Sequence, residues 1–193
     1  MIFTEKMRHA VNFSILVHEE HQKQKRRGKD VPYITHPLLV GLILAHAGAS
    51  EDIVVAGILH DTIEDSIPRK KVTKEMIAAE FGDLVADLVE SVTEDYEEIS
   101  WEKKKKDALL HMKNFTHDSR FLKSADVIAN TTEIIADHEM DGDGIFSRFG
   151  GGKIRVIEHY LSVIDVLNRT WDENPLHHDL MIIDSKLRTI GGI

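Results

Sequence analysis

The apolar run Ile53-Val54-Val55-Ala56-Gly57-Ile58-Leu59 leads directly into His60-Asp61. A helix that is apolar on every side has to be buried, because no face of it suits water. Burying this one carries an imidazole and a carboxylate towards the interior. Unpaired buried charge is costly, so both groups need partners. A divalent cation is one such partner. Ser50 followed by Glu51-Asp52 reads as an N-cap with acids in the first turn, which predicts a helix from there to His60-Asp61. Glu64 and Asp65 follow within a turn. Glu64 shares the face of His60 if the helix persists, where it could contact water carried by a metal rather than the metal itself.

The rest of the chain repeats the helical period. Apolar residues from Met7 to Val17 recur at that spacing and give way to the basic stretch Lys23–Lys29. Gly28 to Pro32 is a loop. His36 precedes Pro37, which suits the first turn of a helix reaching about His46 and stopped by Gly48. Further helices are predicted over Thr73–Phe81, Asp83–Val92, Trp101–Phe115, Arg120–Ile135, Ile154–Leu167 and His178–Arg188. There is no strand alternation and no internal repeat. The expected fold is all-α, with 1–193 as a single domain.

Composition narrows the function classes. Hydrophobic residues make up 42% and charged residues 30%, as in a globular protein. The chain has no cysteine, which agrees with a reducing cytoplasm and leaves any metal to His, Asp or Glu. A net charge of -9 argues against a nucleic-acid partner. No apolar segment approaches the ~20 residues needed to span a bilayer, so no membrane partner is expected. Homo-oligomerisation is left open.

His60-Asp61 alone is two residues and reads equally well as a solvated helix end. Other segments change that reading. Thr35-His36-Pro37 sets a second histidine at a helix start. Lys123-Ser124-Ala125-Asp126 sets an aspartate inside an apolar helical stretch, with Asn130 one turn later. A mid-helix Asp on an apolar stripe is disfavoured unless paired or ligating. His36, His60, Asp61 and Asp126 would make an N/O site suited to manganese, iron, zinc or magnesium. Elsewhere the bland readings win. The glycine-rich segment from Asp141 to Lys153 fits neither a phosphate-cradling loop nor a calcium loop and is expected to be a flexible connection. Lys103–Lys106 is a solvated face, and Trp101 and Trp171 are core or interface residues. His177-His178 point to different helix faces, and His9, His18, His21 and His46 are ordinary helix residues.

The ordered set of motifs resembles the HD superfamily of metal-dependent phosphohydrolases, and within it the hydrolase domain of RelA/SpoT proteins and the small alarmone hydrolases. The residues carrying the likeness are Lys25-Arg26-Arg27, Pro32-Tyr33-Ile34-Thr35-His36-Pro37, His60-Asp61-Thr62-Ile63-Glu64-Asp65, Val92-Thr93, and Lys123-Ser124-Ala125-Asp126 with Asn130. The resemblance implies an HD-domain bundle of about 8–10 helices around one metal site. It implies that His36, His60, Asp61 and Asp126 are the metal ligands, usually for Mn2+. Glu64 and Asp65 would orient or activate the attacking water, Arg26 and Arg27 would meet substrate phosphates, and Asn130 would line the nucleotide pocket. Lys123 matches a motif position without an assigned role.

The residue types suit that chemistry. A metal lowers the pKa of its water and polarises a phosphoryl oxygen. A carboxylate can take the water's proton, and arginine grips phosphate bidentately. The resemblance implies hydrolysis of the 3′-pyrophosphate of (p)ppGpp. The alternatives are an HD phosphohydrolase acting on another nucleotide or phosphorylated metabolite, and a nucleotide-sensing module without turnover. The intact Glu64-Asp65 pair speaks against the module. The sequence departs from the family pattern at Ser124, Ala129 and Thr131-Thr132, near the expected nucleotide pocket rather than the metal.

Overall fold

The computed structural model describes residues 3–94 and 101–193, without the side chains of Trp101, Glu102 and Lys104; the expectation for Trp101 and part of the Lys103–Lys106 run therefore lie outside the described residues. The chain forms two compact units, 1–98 and 99–193. Among the described residues there is helix and no strand, only an isolated antiparallel bridge between Lys25 and Pro32. The all-α expectation is met. No described helix is long and apolar enough to cross a membrane.

In the first unit, α1 (Glu5–Ile15) is capped by Thr4, whose side chain accepts from the Met7 amide. Met7, Ala10, Phe13 and Ser14 form its buried stripe. The helix does not stop at Ile15. It widens into a π-helical turn, Leu16–Glu20, in which the His21 amide reaches back to the Leu16 carbonyl at 3.0 Å. α2 (Thr35–His46) buries His36, Pro37, Val40, Gly41 and Leu44. α3 (Glu51–Leu59) is capped by Ser50, and every residue from Ile53 to Leu59 is buried. It packs against α1, α2 and a later helix, α6 (Asp83–Val92), which is why it is apolar all round. Burying each Val, Leu or Ile contributes about 1.5–3 kcal/mol.

α3 ends at His60-Asp61, where the sequence predicts its end, with His60 as the C-cap. Asp61 adopts φ -92° and ψ -4°, and the chain turns there before the short α4 (Thr62–Asp65). α5 (Lys74–Phe81), with Thr73 as N-cap, and α6 (Asp83–Val92) complete the unit.

α2 and α3 touch almost backbone to backbone. A Cβ on Gly57 would lie 2.5 Å from Leu44 Cδ1, and one on Gly41 would lie 2.6 Å from Ile58 Cγ1. Only glycine permits this approach. It fixes His36 at the start of α2 against His60 at the end of α3, with ring centroids 5.1 Å apart.

In the second unit, α7 (Trp101–Met112), α8 (His117–Asp141), α9 (Gly152–Thr170) and α10 (His177–Gly191) pack together, with α8 and α9 each touching α10. Trp171 stacks on His117 at 5.0 Å and meets Phe121 edge-on. The glycine-rich segment is not the flexible connection its composition suggests. Gly142–Arg148 is a 3-10 helix that buries Ile145 and Phe146, and Arg148 donates to Asp137 at 2.8 Å.

Candidate metal centre

Three ligand-type atoms meet in the first unit. Asp61 Oδ2 lies 3.1 Å from His60 Nε2 and 3.6 Å from His36 Nε2. Both imidazoles are 4% exposed, so water does little to screen them. His60 Nδ1 sits 2.8 Å from the Gly57 carbonyl oxygen. A carbonyl only accepts, so Nδ1 carries the hydrogen and the ring turns Nε2 towards Asp61. Thr62 Oγ1 donates to the Leu59 carbonyl at 2.6 Å, so two carbonyls near the end of α3 take side-chain donors and the turn is stabilised where the ligand-type residues stand.

Two imidazole nitrogens and a carboxylate oxygen gathered around one point are the donor set that manganese, iron or zinc accepts. A ring N–H given to a backbone carbonyl is the usual support for a metal-ligating histidine. These residues fit a divalent cation.

Asp61 has a second support. The Tyr33 hydroxyl donates to Asp61 Oδ2 at 2.6 Å. Burial, and then the charges of Asp61 and Asp65, push the Tyr33 hydroxyl far above its ordinary pKa, so it stays a donor. Arg26 holds its guanidinium over the Tyr33 ring, 5.4 Å from the centroid. Arg27, next in the same turn, is exposed.

The acidic pair on α4 is anchored from two directions. The Glu94 amide donates to Glu64 Oε2 at 2.9 Å. That amide is set by the end of α6, where Thr93 Oγ1 donates to the Val89 carbonyl at 2.9 Å. Asp65 Oδ2 accepts from Gln24 Nε2 at 2.8 Å. Burial, first, and the nearby Asp61 charge raise the Asp65 pKa, against the lowering effect of Gln24. Because α3 breaks, Glu64 does not share a continuous helical face with His60.

Asp126 belongs to the second unit, in the middle of α8, and is 7% exposed. Lys123 Nζ donates to its Oδ2 at 2.8 Å and Asn130 Nδ2 to its Oδ1 at 2.7 Å. Both donors come from the same helix at i−3 and i+4. Lys123 thereby gains the role the sequence left open. Of the motif departures, Ser124, Ala129 and Thr131 are core residues of this unit, while Thr132 is exposed. Ser124 is fully buried and accepts from Asn174 at 2.8 Å, Ala129 is buried, and Thr131 donates to the Val127 carbonyl.

A family profile described as HD domain matches residues 10–116, more than half the chain. The chain belongs to the HD-domain family. Among relatives of this HD-domain protein is the guanosine-3′,5′-bis(diphosphate) 3′-pyrophosphohydrolase MESH1 of Xenopus tropicalis, 35% identical over 128 residues, covering 65% of this chain and 67% of that one. The guanosine-3′,5′-bis(diphosphate) 3′-pyrophosphohydrolase of Aquifex aeolicus is 47% identical over 75 residues, covering 39% of this chain but only 10% of the relative. Among solved structures, a metazoan orthologue of SpoT that hydrolyses ppGpp superposes with a TM-score of 0.73 at 21% identity, covering 98% and 96% of the two chains, which establishes the shared fold. A protein of Listeria monocytogenes superposes with a TM-score of 0.71 at 29% identity, covering 82% of the HD-domain chain and 99% of its own.

The proline-tyrosine and histidine-aspartate motifs of the sequence contain the three residues gathered here. Three supporting residues carry no such signal: Tyr33 lies within the Pro32–Pro37 motif, Gln24 within the basic stretch, and His18 on the first helical segment.

Proposed function

We propose that the protein is a divalent-metal-dependent hydrolase of the 3′-pyrophosphate of ppGpp. The observation that carries this is the convergence of His36 Nε2, His60 Nε2 and Asp61 Oδ2, with the Glu64-Asp65 pair supported beside them. The pyrophosphate specificity is taken from the MESH1 relatives. In this reading His36, His60, Asp61 and Asp126 hold the metal, Mn2+ first among the candidates. His36, His60 and Asp126 are each buried and each offers one ligand atom. The whole chain, 1–193, then acts as one phosphohydrolase domain.

A divalent cation, when bound, supplies Lewis acidity towards a phosphoryl oxygen and makes water more acidic. The chain's own residues do the rest. Glu64, its carboxylate fixed by the Glu94 amide, accepts the proton of the attacking water. Asp65 orients that water. Arg26 and Arg27 bind the phosphates and offset charge that grows on the transferred group. Asn130 meets the nucleotide while holding Asp126. Water adds to phosphorus, the bond to the 3′ oxygen breaks, that oxygen takes up a proton from solvent to become a hydroxyl, and pyrophosphate leaves.

The test is the purified protein with Mn2+, offered ppGpp, other nucleotides and generic phosphate esters. Pyrophosphate released from ppGpp is expected. Phosphate released from nucleoside monophosphates instead, or tight ppGpp binding with no turnover, overturns the assignment.

A further inference from the structure

The Asp65 carboxylate is held by a strap of side chains running back to the π-helical turn. Gln24 is its middle link. Gln24 Nε2 donates to Asp65 Oδ2 at 2.8 Å, while Gln24 Oε1 meets His18 Nδ1 at 2.7 Å and accepts from Gln22 Nε2 at 3.2 Å. Gln22 Nε2 also donates to the Asp65 carbonyl at 2.9 Å. The main chain of Gln24 is equally committed. Its amide donates to the His18 carbonyl at 2.8 Å, and its carbonyl accepts from the Tyr33 amide at 2.9 Å.

The orientation of the Gln24 amide follows from its neighbours. An ionised carboxylate only accepts, so the atom facing Asp65 must be the NH2 group. The oxygen then faces His18 and requires a proton on Nδ1. His18 is fully buried, and burial lowers its pKa, so it is neutral with its one hydrogen at Nδ1. Its Nε2 is buried with no hydrogen-bond partner among the described residues, so the tautomer is chosen by Gln24 alone.

The backbone is shaped for this contact. The π turn at Leu16–Glu20 shifts the register of α1, and Lys23 takes the left-handed φ of 51° that reverses the chain before Gln24. Wide turns of this kind are uncommon and often stand at functional sites.

We propose that Gln24 is a positioning residue for hydrolysis: anchored on His18, it fixes the Asp65 carboxylate in the orientation the reaction uses. The inference rests on the reading of the chain as an HD phosphohydrolase. It assigns Gln24 no contact with substrate, so its effect must pass through Asp65.

A double-mutant cycle on the full chain tests this. Gln24→Met, Asp65→Asn and the double variant are compared with the wild type for kcat and KM on ppGpp with Mn2+, and for bound manganese. Gln24→Met is expected to lower kcat by about tenfold to hundredfold, as misplacement of a reacting group does. KM and manganese content stay unchanged, and the same substitution costs nothing further in Asp65→Asn. An equal loss in both backgrounds, or loss of manganese, overturns the inference. If Gln24→Met does not fold, Gln24→Glu sets a second carboxylate against Asp65, and its loss is expected to be relieved by Asp65→Asn. If the wild type turns over no ppGpp, the functional reading fails on its own. The strap is then judged from urea midpoints of the same proteins: non-additive midpoints support it, additive ones overturn it.

Discussion

His60 and Gly57 form a single unit: the imidazole Nδ1 of one gives its hydrogen to the carbonyl oxygen of the other, 2.8 Å away and three residues earlier. The same glycine lets Leu44 of α2 approach to 2.5 Å from where a Cβ would stand. The orientation of the His60 ring and the helix contact are thus set by one residue. Gly57→Ala must shift the Leu44 side chain within a fully buried site. It should destabilise the protein by about 1–3 kcal/mol, the usual cost of overpacking. Urea unfolding checks this; an unchanged midpoint would mean that α2 moves away freely.

Tyr33→Phe removes one hydroxyl and little volume. The fold should persist, because the Tyr33 amide keeps its bond to the Gln24 carbonyl. Asp61 loses the donor that orients it, and manganese affinity should weaken about 10–100-fold. Isothermal titration with Mn2+ measures this directly, and wild-type affinity would deny Tyr33 its supporting role.

Substitutions at the ligands and at the acidic pair should separate binding from turnover. His60→Ala and Asp126→Ala are expected to lose both manganese and activity. Glu64→Gln should keep manganese and lose about 10²–10⁴ in kcat, the range ascribed to a positioned general base. Metal analysis alongside the rate assay distinguishes the two classes. Full metal content in either alanine variant removes that residue from the ligand set.

His18 gives a dependence on pH in the metal-free protein. Its folded pKa lies below the ordinary 6.5, because burial outweighs its bond to Gln24. A depressed histidine pKa means that the unfolded chain binds the proton more readily. The stability tied to neutral His18 is therefore present above pH 6.5 and declines as pH falls below it. Against His18→Gln, the wild type should lose ground in urea midpoint between pH 7.5 and pH 5, a window spanning about one unit above and more below the ordinary histidine pKa. Parallel profiles for the two proteins would contradict this.

Much of the first unit could be read from local signals. Ser50 caps α3 as expected, and the Ile53–Leu59 run is buried throughout. The end of that helix at His60-Asp61 is also where the sequence sets it, and side-chain donors to the Gly57 and Leu59 carbonyls stabilise the turn there. The π turn is silent in sequence, its stretch Leu16–Glu20 carrying no glycine or proline. The segment Gly142–Arg148 misled by composition, because the salt bridge from Arg148 to Asp137 and two buried apolar side chains order it. At the site, motifs named the ligand-type residues, whereas Tyr33 and Gln24 gained roles through contacts with Asp61 and Asp65 far along the chain, and His18 through Gln24, which no local pattern encodes.

The donor that holds Glu64 is the main-chain amide of Glu94. Every amino acid except proline offers that amide. In a saturation scan of position 94, proline alone is therefore expected to remove this hydrogen bond to Glu64. Side-chain change at position 94 leaves in place the donor that the Glu64 carboxylate accepts from.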